Sequence, residues 1–245
     1  MLEQYFKNLY QRTMKHAYDL ATNVIVNSLL QGGKVLDCGA HKGRMFYTLA
    51  EKKCITKDRY FGIEWDQNLV NEANDNGINI IQGDLNKCLP YQDEEFRCVF
   101  ALSLLEHLIN PCSYLQECFR VLQKGGFLVI LTPNISTYFT AFLVLLGKMP
   151  SSGPHPDSDN LLIKEEIFKV SSESLMPDTE IKTPNHRHFI VFSFRVLRDY
   201  LESLGFNKVT GYGFGLYPFP NFMQPLLEKI DPYHCHQMVF IANKK

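Results

Sequence analysis

The stretch that decides the fold class reads Val35-Leu36-Asp37-Cys38-Gly39-Ala40-His41-Lys42-Gly43. Its apolar start predicts a strand, its two glycines predict a tight turn, and residues 44–51 follow as a helix. The N-terminus of such a helix offers unpaired N–H groups and a positive dipole end to a ligand. In a dinucleotide fingerprint the first glycine follows the strand directly, whereas Asp37 precedes Gly39 here. The turn therefore favours a ligand with a cationic end over a pyrophosphate.

Short apolar runs alternate with helical patterns on either side of this turn. Residues 2–30 keep apolar side chains at helical spacing, which predicts one long or two short amphipathic helices. The predicted strands are 35–38, 60–64, 78–82, 96–102 and 126–132, and the predicted helices between them include 67–76 and 111–122. This alternation indicates an α/β fold with a doubly wound parallel sheet covered on both faces.

Composition limits the classes of protein that the chain resembles. The 25 basic and 26 acidic residues give a net charge of −1 without a block of like charges, which argues against nucleic acid as a partner. The seven cysteines form no C-x-x-C pair, which indicates reduced thiols. Neither a signal-peptide pattern nor a membrane-length apolar run is present, so we expect a cytoplasmic protein without an integral membrane segment.

Polar residues follow successive predicted strands at their carboxyl ends. Glu64 ends the second strand, where an acid can accept hydrogen bonds from a ribose diol, and Trp65 can lie flat on a purine or simply pack. Asp84 follows the third strand, where it can accept from an adenine amino group. The fourth strand leads into residues 103–107, which read Ser-Leu-Leu-Glu-His. Because the carboxyl ends of parallel strands meet at one edge, these residues predict one binding site.

At these positions the chain resembles the class I S-adenosylmethionine-dependent methyltransferases, especially the type 11 group of small-molecule enzymes. The resemblance is close over residues 33–134 and loose over 186–206. It rests on the motifs Val35–Gly39, Gly62–Glu64, Gln82–Leu85, Leu89–Asp93, Leu105–Leu108, Glu117–Leu122, Lys124–Gly126 and Thr132–Asn134. It implies a Rossmann-like sheet of seven strands, mostly parallel, with an antiparallel last strand.

The resemblance also implies S-adenosylmethionine as the cofactor and S-adenosylhomocysteine as its product. It assigns Glu64 to the ribose hydroxyls, Asp84 and Leu85 to the adenine, and Asp37 with Gly39 to the methionine end. The predicted cofactor-binding set is Asp37, Gly39, Ala40, His41, Gly43, Glu64, Trp65, Asp84, Leu85, Leu102 and Ser103.

The chain departs from the family pattern at two positions. His41 stands where the family usually has glycine, so its side chain either contacts the amino acid end of the cofactor or weakens cofactor binding. Arg97 stands at the start of the fourth strand, where the family commonly has aspartate, and we interpret it as structural.

We divide the chain, as a single domain of residues 1–245, into four parts. Residues 1–31 form a helical cap, 32–134 the cofactor-binding core, 135–190 an insertion or lid, and 191–245 the last helix and strands. The lid is inferred because 150–184 contains five prolines and many polar residues, too irregular for another strand and helix.

Three histidines, His107, His186 and His188, are the candidates for a general base, each with a structural role as the alternative. A base is needed only where the acceptor holds its proton at neutral pH. We predict no metal, although a site formed by His155, His186 and His188 stays open because zinc sites contain histidine, usually at tighter spacing.

The function that these residues predict is methyl transfer to oxygen or nitrogen of a small-molecule, glycan or lipid-like acceptor. The alternative is a regulatory or assembly protein that binds the cofactor without transfer, which His41 favours. A nicotinamide-dependent oxidoreductase would require a G-x-G-x-x-G turn, which residues 37–43 lack. Residues 139–146 and 217–223 are apolar, so a homodimer is a further open alternative.

Overall fold

The structure is a computed structural model that describes residues 2–30, 32–150, 152–156, 158 and 187–245. Most of the predicted lid over 135–190, including His186, lies outside the described residues. Within the described part of the chain, no helix is both long and apolar enough to cross a membrane.

The described residues form one seven-stranded sheet in the order β3-β2-β1-β4-β5-β7-β6. Strands β1 to β5 run parallel to one another, and β7 runs antiparallel to both β5 and β6. This arrangement confirms the predicted Rossmann-like fold and its antiparallel last strand. The strands are β1 Val35–Cys38, β2 Tyr60–Glu64, β3 Ile80–Gln82, β4 Phe96–Leu102, β5 Leu122–Pro133, β6 Phe206–Phe214 and β7 Gln237–Lys244.

Seven α-helices accompany the strands in the described ranges. They are α1 Leu2–Leu29, α2 Arg44–Glu51, α3 Gln67–Asp75, α4 Pro111–Val121, α5 Tyr138–Leu145, α6 Phe194–Ser203 and α7 Gln224–Ile230. Local signals set their ends. The Asp66 side chain accepts from Asn68 N at 2.7 Å before α3, Pro111 occupies the first turn of α4, and Ser193 caps α6.

The strand boundaries differ from the sequence prediction where pairing decides them. The fifth strand was predicted over 126–132, yet β5 begins at Leu122, opposite Phe96 of β4. Gly125 and Gly126 lie inside this strand, and the ladder shifts register between Phe96 and Cys98. Two adjacent glycines indicate a turn in a sequence, but glycines also occur at irregular positions inside a paired strand.

Alternate residues of the central strands pack into two separate core clusters. Val35 of β1 and Phe100 of β4 belong to one cluster, whereas Leu36 and Val99 belong to the other. Both faces of the sheet are therefore buried, as a doubly wound fold requires. A ligand can reach the central strands only at their ends, and β1 lies where the strand order reverses toward β4.

The N-terminal helix is a layer of the core. It is a single helix, and Ala17, Ala21, Ile25 and Leu29 are buried along one side of it. They pack in the cluster that contains Val35 and Phe100, and α1 contacts β4, β5 and β7. Burial of this apolar stripe contributes directly to the stability of the sheet.

We expect Ile25→Ala to lower the free energy of unfolding by about 2–4 kcal/mol, because the truncation leaves a cavity between α1 and the sheet. Urea unfolding followed by circular dichroism measures this effect. The matched control is Asn23→Ala, since Asn23 is exposed on the same helix. Equal unfolding midpoints for the two variants would show that α1 is not part of the cooperative core.

Candidate active site

The turn after β1 has the conformation that its glycines allow. Gly39 and Gly43 have φ of 75° and 78°, which non-glycine residues rarely adopt. A Cβ on Gly39 would lie 3.1 Å from Leu104 Cδ1, and one on Gly43 would lie 2.8 Å from Ile78 Cδ1. The backbone angles therefore favour glycine at these two positions, and the neighbouring side chains leave little room for a Cβ.

His41 also has a left-handed backbone, with φ of 50°, and both of its ring nitrogens are buried without a hydrogen-bond partner among the described residues. Burial and the nearby Arg44 lower the pKa of His41. A buried imidazole without partners is costly unless a ligand supplies them. The turn therefore has the polar groups that a ligand with a carboxylate or an amino group would satisfy.

Glu64 joins this turn to the end of β2. Its Oε2 accepts from His41 N at 2.7 Å, and its Oε1 accepts from Trp65 N at 2.8 Å and from Asp66 N at 3.2 Å. Each oxygen retains room for further donors, because a carboxylate has about four lone-pair sites. The acid thus faces the glycine turn. Trp65 is 59% exposed, so it is not the core packing residue that the sequence left as an alternative.

Asp37 is a buried acid at the end of β1. Tyr60 Oη donates to Asp37 Oδ2, and burial raises the pKa of Asp37 to about 7, with this hydrogen bond acting in the opposite direction. The nearby Glu64 charge raises the pKa further. Desolvation disfavours the ionised carboxylate, so a cation placed beside it would restore the charged form.

Asp84, the third acid at the strand ends, interacts with residues of its own turn. Asp84 Oδ1 accepts from Asn86 N at 3.0 Å, and Lys87 Nζ lies 3.7 Å from its Oδ2. Leu85 is buried in the core. Asn86, which the sequence reasoning missed, accepts from Ile109 N and Asn110 N at 2.8 and 2.9 Å. It connects the loops that follow β3 and β4, and only its position beside Asp84 could have signalled that role.

Ser103 and a tyrosine of α1 meet at the end of β4. Ser103 has φ of 57°, its N–H donates to Leu131 O at 2.8 Å, and its Oγ lies 3.4 Å from Tyr18 Oη. Leu102, the last residue of β4, is half-buried. Tyr18 was missed by the sequence reasoning because it lies beside the apolar stripe of α1, where a tyrosine carries no functional signal.

The structure brings two of the three candidate histidines together. The rings of His107 and His188 have centroids 5.0 Å apart, and His186 lies outside the described residues. His107 Nδ1 lies 2.9 Å from Arg187 O, and His188 Nδ1 contacts Ser152 O. Burial lowers the pKa of both histidines, that of His188 to about 3.

A buried carboxylate that the sequence reasoning did not select lies beside these rings. Glu106 is 3% exposed, its Oε2 accepts from Thr132 Oγ1 at 2.9 Å, and its Oε1 lies 4.0 Å from His107 Nε2. Burial raises the pKa of Glu106 to about 7. An acid and two imidazoles therefore form one cluster near the carboxyl ends of β4 and β5.

We expect Asp37→Asn to stabilise the ligand-free protein by about 1–3 kcal/mol at pH 8 and to have little effect near pH 4. The folded pKa of Asp37 is raised, so the folded state binds more protons than the unfolded state, and stability falls as pH rises toward about 7. Asparagine mimics the neutral form. Urea midpoints at the two pH values measure this difference. Asp19→Asn, on α1, is the matched control, and an equal gain for both variants would contradict the assignment.

The comparison with known families matches the part of the chain that carries this site. Residues 36–130 match the family described as a methyltransferase domain. The chain is 30% identical over 109 residues to a probable S-adenosylmethionine-dependent methyltransferase of Mycolicibacterium smegmatis, covering 44% of this chain and 40% of that protein. It is 25% identical over 151 residues to the ubiquinone biosynthesis O-methyltransferase of Vibrio vulnificus, covering 59% and 64%. The chain thus spans less than two thirds of the length of these relatives.

A solved structure shares the fold over almost the whole chain. It is a methyltransferase of Thermotoga maritima, described as a possible histamine N-methyltransferase, and it superposes with a TM-score of 0.55. The alignment covers 99% of this chain and 98% of that one at 18% identity. Residues 36–130 therefore match a methyltransferase domain, and the described sheet shares the fold of a solved methyltransferase.

Proposed function

We propose that the protein binds S-adenosylmethionine at the carboxyl ends of β1, β2 and β4 and catalyses methyl transfer to a small-molecule acceptor. The observation that carries the proposal is the 2.7 Å hydrogen bond from His41 N to Glu64 Oε2. It holds an acid suited to a ribose diol against a glycine turn suited to the methionine end. The orphaned ring nitrogens of His41 support the fit, because a cofactor carboxylate would satisfy them.

Each predicted cofactor residue has a place in this proposal. Glu64 accepts from the ribose hydroxyls, Trp65 and Leu85 contact the adenine, and Asp84 accepts from its amino group. Asp37 faces the cationic amino group, which favours the charged form of this buried acid. The turn residues Gly39, Ala40, His41 and Gly43 surround the methionine end, and Leu102 with Ser103 borders the methyl group.

The bound cofactor supplies an activated methyl group on a cationic sulfur. The protein's task is therefore alignment, since holding the acceptor about 3 Å from the methyl group provides much of the rate. Burial of both faces of the sheet leaves the strand ends as the meeting place for the two substrates. Tyr18 and Ser103 close this place from the side of α1.

His107, His186 and His188 stay the candidates for a general base. The lowered pKa of His107 and His188 makes each ring a neutral but weak proton acceptor at physiological pH. Activation of an acceptor hydroxyl by the His188 ring alone would therefore be inefficient, because burial lowers its pKa to about 3.

An apolar hydroxylated molecule is the acceptor that the surface favours. Phe142, Leu145 and Leu146 of the α5 region are exposed, Leu145 by 86%, beyond the end of β5. Exposed apolar side chains near a binding site favour a lipid-like acceptor over a glycan. One matched relative acts in ubiquinone biosynthesis as an O-methyltransferase, which supports oxygen as the methylated atom.

The remaining parts of the proposal concern the protein's surroundings. All seven cysteines are free and five are buried, which favours a reducing, cytoplasmic compartment. A net charge of −1 disfavours nucleic acid as a partner, and the exposed apolar side chains of α5 leave a homodimer as an alternative to acceptor binding. A cofactor-binding regulator without transfer activity is the second candidate, which the unusual His41 favours.

We expect calorimetry to detect S-adenosylmethionine and S-adenosylhomocysteine binding but not NAD. Glu64→Gln should weaken S-adenosylhomocysteine binding roughly 10- to 100-fold, because charge-assisted hydrogen bonds to the ribose are lost. The matched control is Glu51→Gln, an exposed acid at the end of α2. Binding of NAD alone would refute the proposal, and an unchanged affinity of Glu64→Gln would refute the ribose assignment.

We expect labelled methyl transfer from S-adenosylmethionine to apolar phenols or hydroquinones in preference to amines and sugars. Product formation is measured by extraction and scintillation counting across matched acceptors. Leu145→Glu should raise the KM for an apolar acceptor at least several-fold without changing cofactor affinity, because it places a charge on the exposed apolar surface. Tight cofactor binding without transfer to any acceptor class would instead support the regulatory alternative.

A further inference from the structure

Glu106, His107 and His188 bring three potential ligand atoms close together. Glu106 offers one carboxylate oxygen and each histidine offers one ring nitrogen, and these three atoms all lie within 4.8 Å of one another. Two of the residues come from the short helix Leu105–His107 after β4, and the third precedes α6. The tertiary structure therefore converges donors from segments that are about 80 residues apart in the chain.

The hydrogen bonds of both imidazoles fix the same tautomer. His107 Nδ1 faces Arg187 O, and His188 Nδ1 faces Ser152 O. A carbonyl oxygen can only accept, so each Nδ1 carries the proton and donates it. Each Nε2 is then left with a lone pair. Metal-binding histidines show this pattern, in which the second ring nitrogen donates to a backbone carbonyl and so orients the ring.

Hydrogen bonds to its side chain and its backbone also orient Glu106. Thr132 Oγ1 donates to Glu106 Oε2 at 2.9 Å, and Phe189 N donates to the Glu106 backbone oxygen at 2.7 Å. These contacts hold Glu106 between the end of β5 and the segment that carries His188. Its Oε1 lies 4.0 Å from His107 Nε2. An acid that is 3% exposed is costly to ionise unless a cation accompanies it.

We propose that Glu106, His107 and His188 bind a divalent first-row transition ion, of which Zn²⁺ is the reference case. Two imidazoles and one carboxylate form the donor set of catalytic zinc sites, which keep one position open for water or substrate. The set differs from the one that the sequence left open, because Glu106 and His107 take the places of His155 and His186. His155 stacks on His188 with ring centroids 4.7 Å apart and packs against that ligand.

The cluster lies near the residues of the proposed cofactor site. Tyr18 contacts Ser103, and the charges of both Glu106 and Asp37 act on Tyr18, so the cluster and the methionine end flank the same side chain. This step rests on the proposed function. The open coordination position of the metal ion would bind the acceptor hydroxyl and lower its pKa. The hydroxyl proton then leaves to water, the oxygen–methyl bond forms, the sulfur–methyl bond breaks and its electron pair remains on sulfur.

The test measures metal binding directly. Protein stripped with a chelator is titrated with ZnCl₂ against a chromogenic competitor, and we expect saturation at about one ion per chain. Glu106→Gln and His188→Ala should each weaken the affinity about 10- to 100-fold, because each removes a ligand. The matched control is His16→Ala, an exposed histidine on α1, which should bind as the wild type does.

Two further measurements keep the test decisive. If a variant fails to fold, long-range ¹H–¹⁵N spectra of the wild-type protein are recorded with and without zinc. We expect zinc to shift the Nε2 resonances of two histidines that are protonated at Nδ1. Any of three results would overturn the proposal: no saturable zinc binding, zinc binding that survives both ligand substitutions, or Nε2 resonances that zinc does not shift. S-adenosylhomocysteine calorimetry on metal-free protein separates this outcome from failure of the proposed function, because the cofactor site should bind without the ion.

Discussion

Burial of β1 on both faces is the constraint from which the rest of the site follows. Its four residues are all buried, with Val35 and Leu36 packed into opposite cores. The strand is therefore accessible only at its carboxyl end, where the chain must turn sharply at Gly39. That geometry places Asp37 in a low-dielectric position and directs the turn toward Glu64 of the neighbouring strand. Fold stability and ligand recognition thus depend on the same few residues.

The two buried acids, Asp37 and Glu106, lower the stability of the ligand-free protein and favour the binding of cations. Both have a pKa raised to about 7 by burial, and each is held by one hydroxyl donor, Tyr60 or Thr132. Such groups destabilise the ligand-free protein when they ionise. A cation beside each acid removes that cost, and perturbed carboxylates of this kind cluster at functional sites. The proposed amino group at Asp37 and metal ion at Glu106 follow the same electrostatic reasoning.

Local sequence patterns were reliable where local physics sets the structure. The alternation of strands and helices and the turn at Gly39 depend on periodicity and backbone conformation. The start of β5 was misplaced because pairing with Phe96 extends that strand through two glycines. Tyr18 and Glu106 were missed for a related reason. Each lies in a segment that reads as ordinary helix or loop, and its importance comes from a partner far along the chain.

The sequence by itself determined the α/β class, the glycine turn and the order of acids at the strand ends. These features follow from side-chain periodicity and from the φ values that only glycine adopts readily. Tertiary structure alone decided that the carbonyls of Ser152 and Arg187 fix the tautomers of His188 and His107. It also placed Glu106 against both rings. Distances between residues so far apart in sequence are set by how the sheet, helices and loops pack, which residue spacing does not encode.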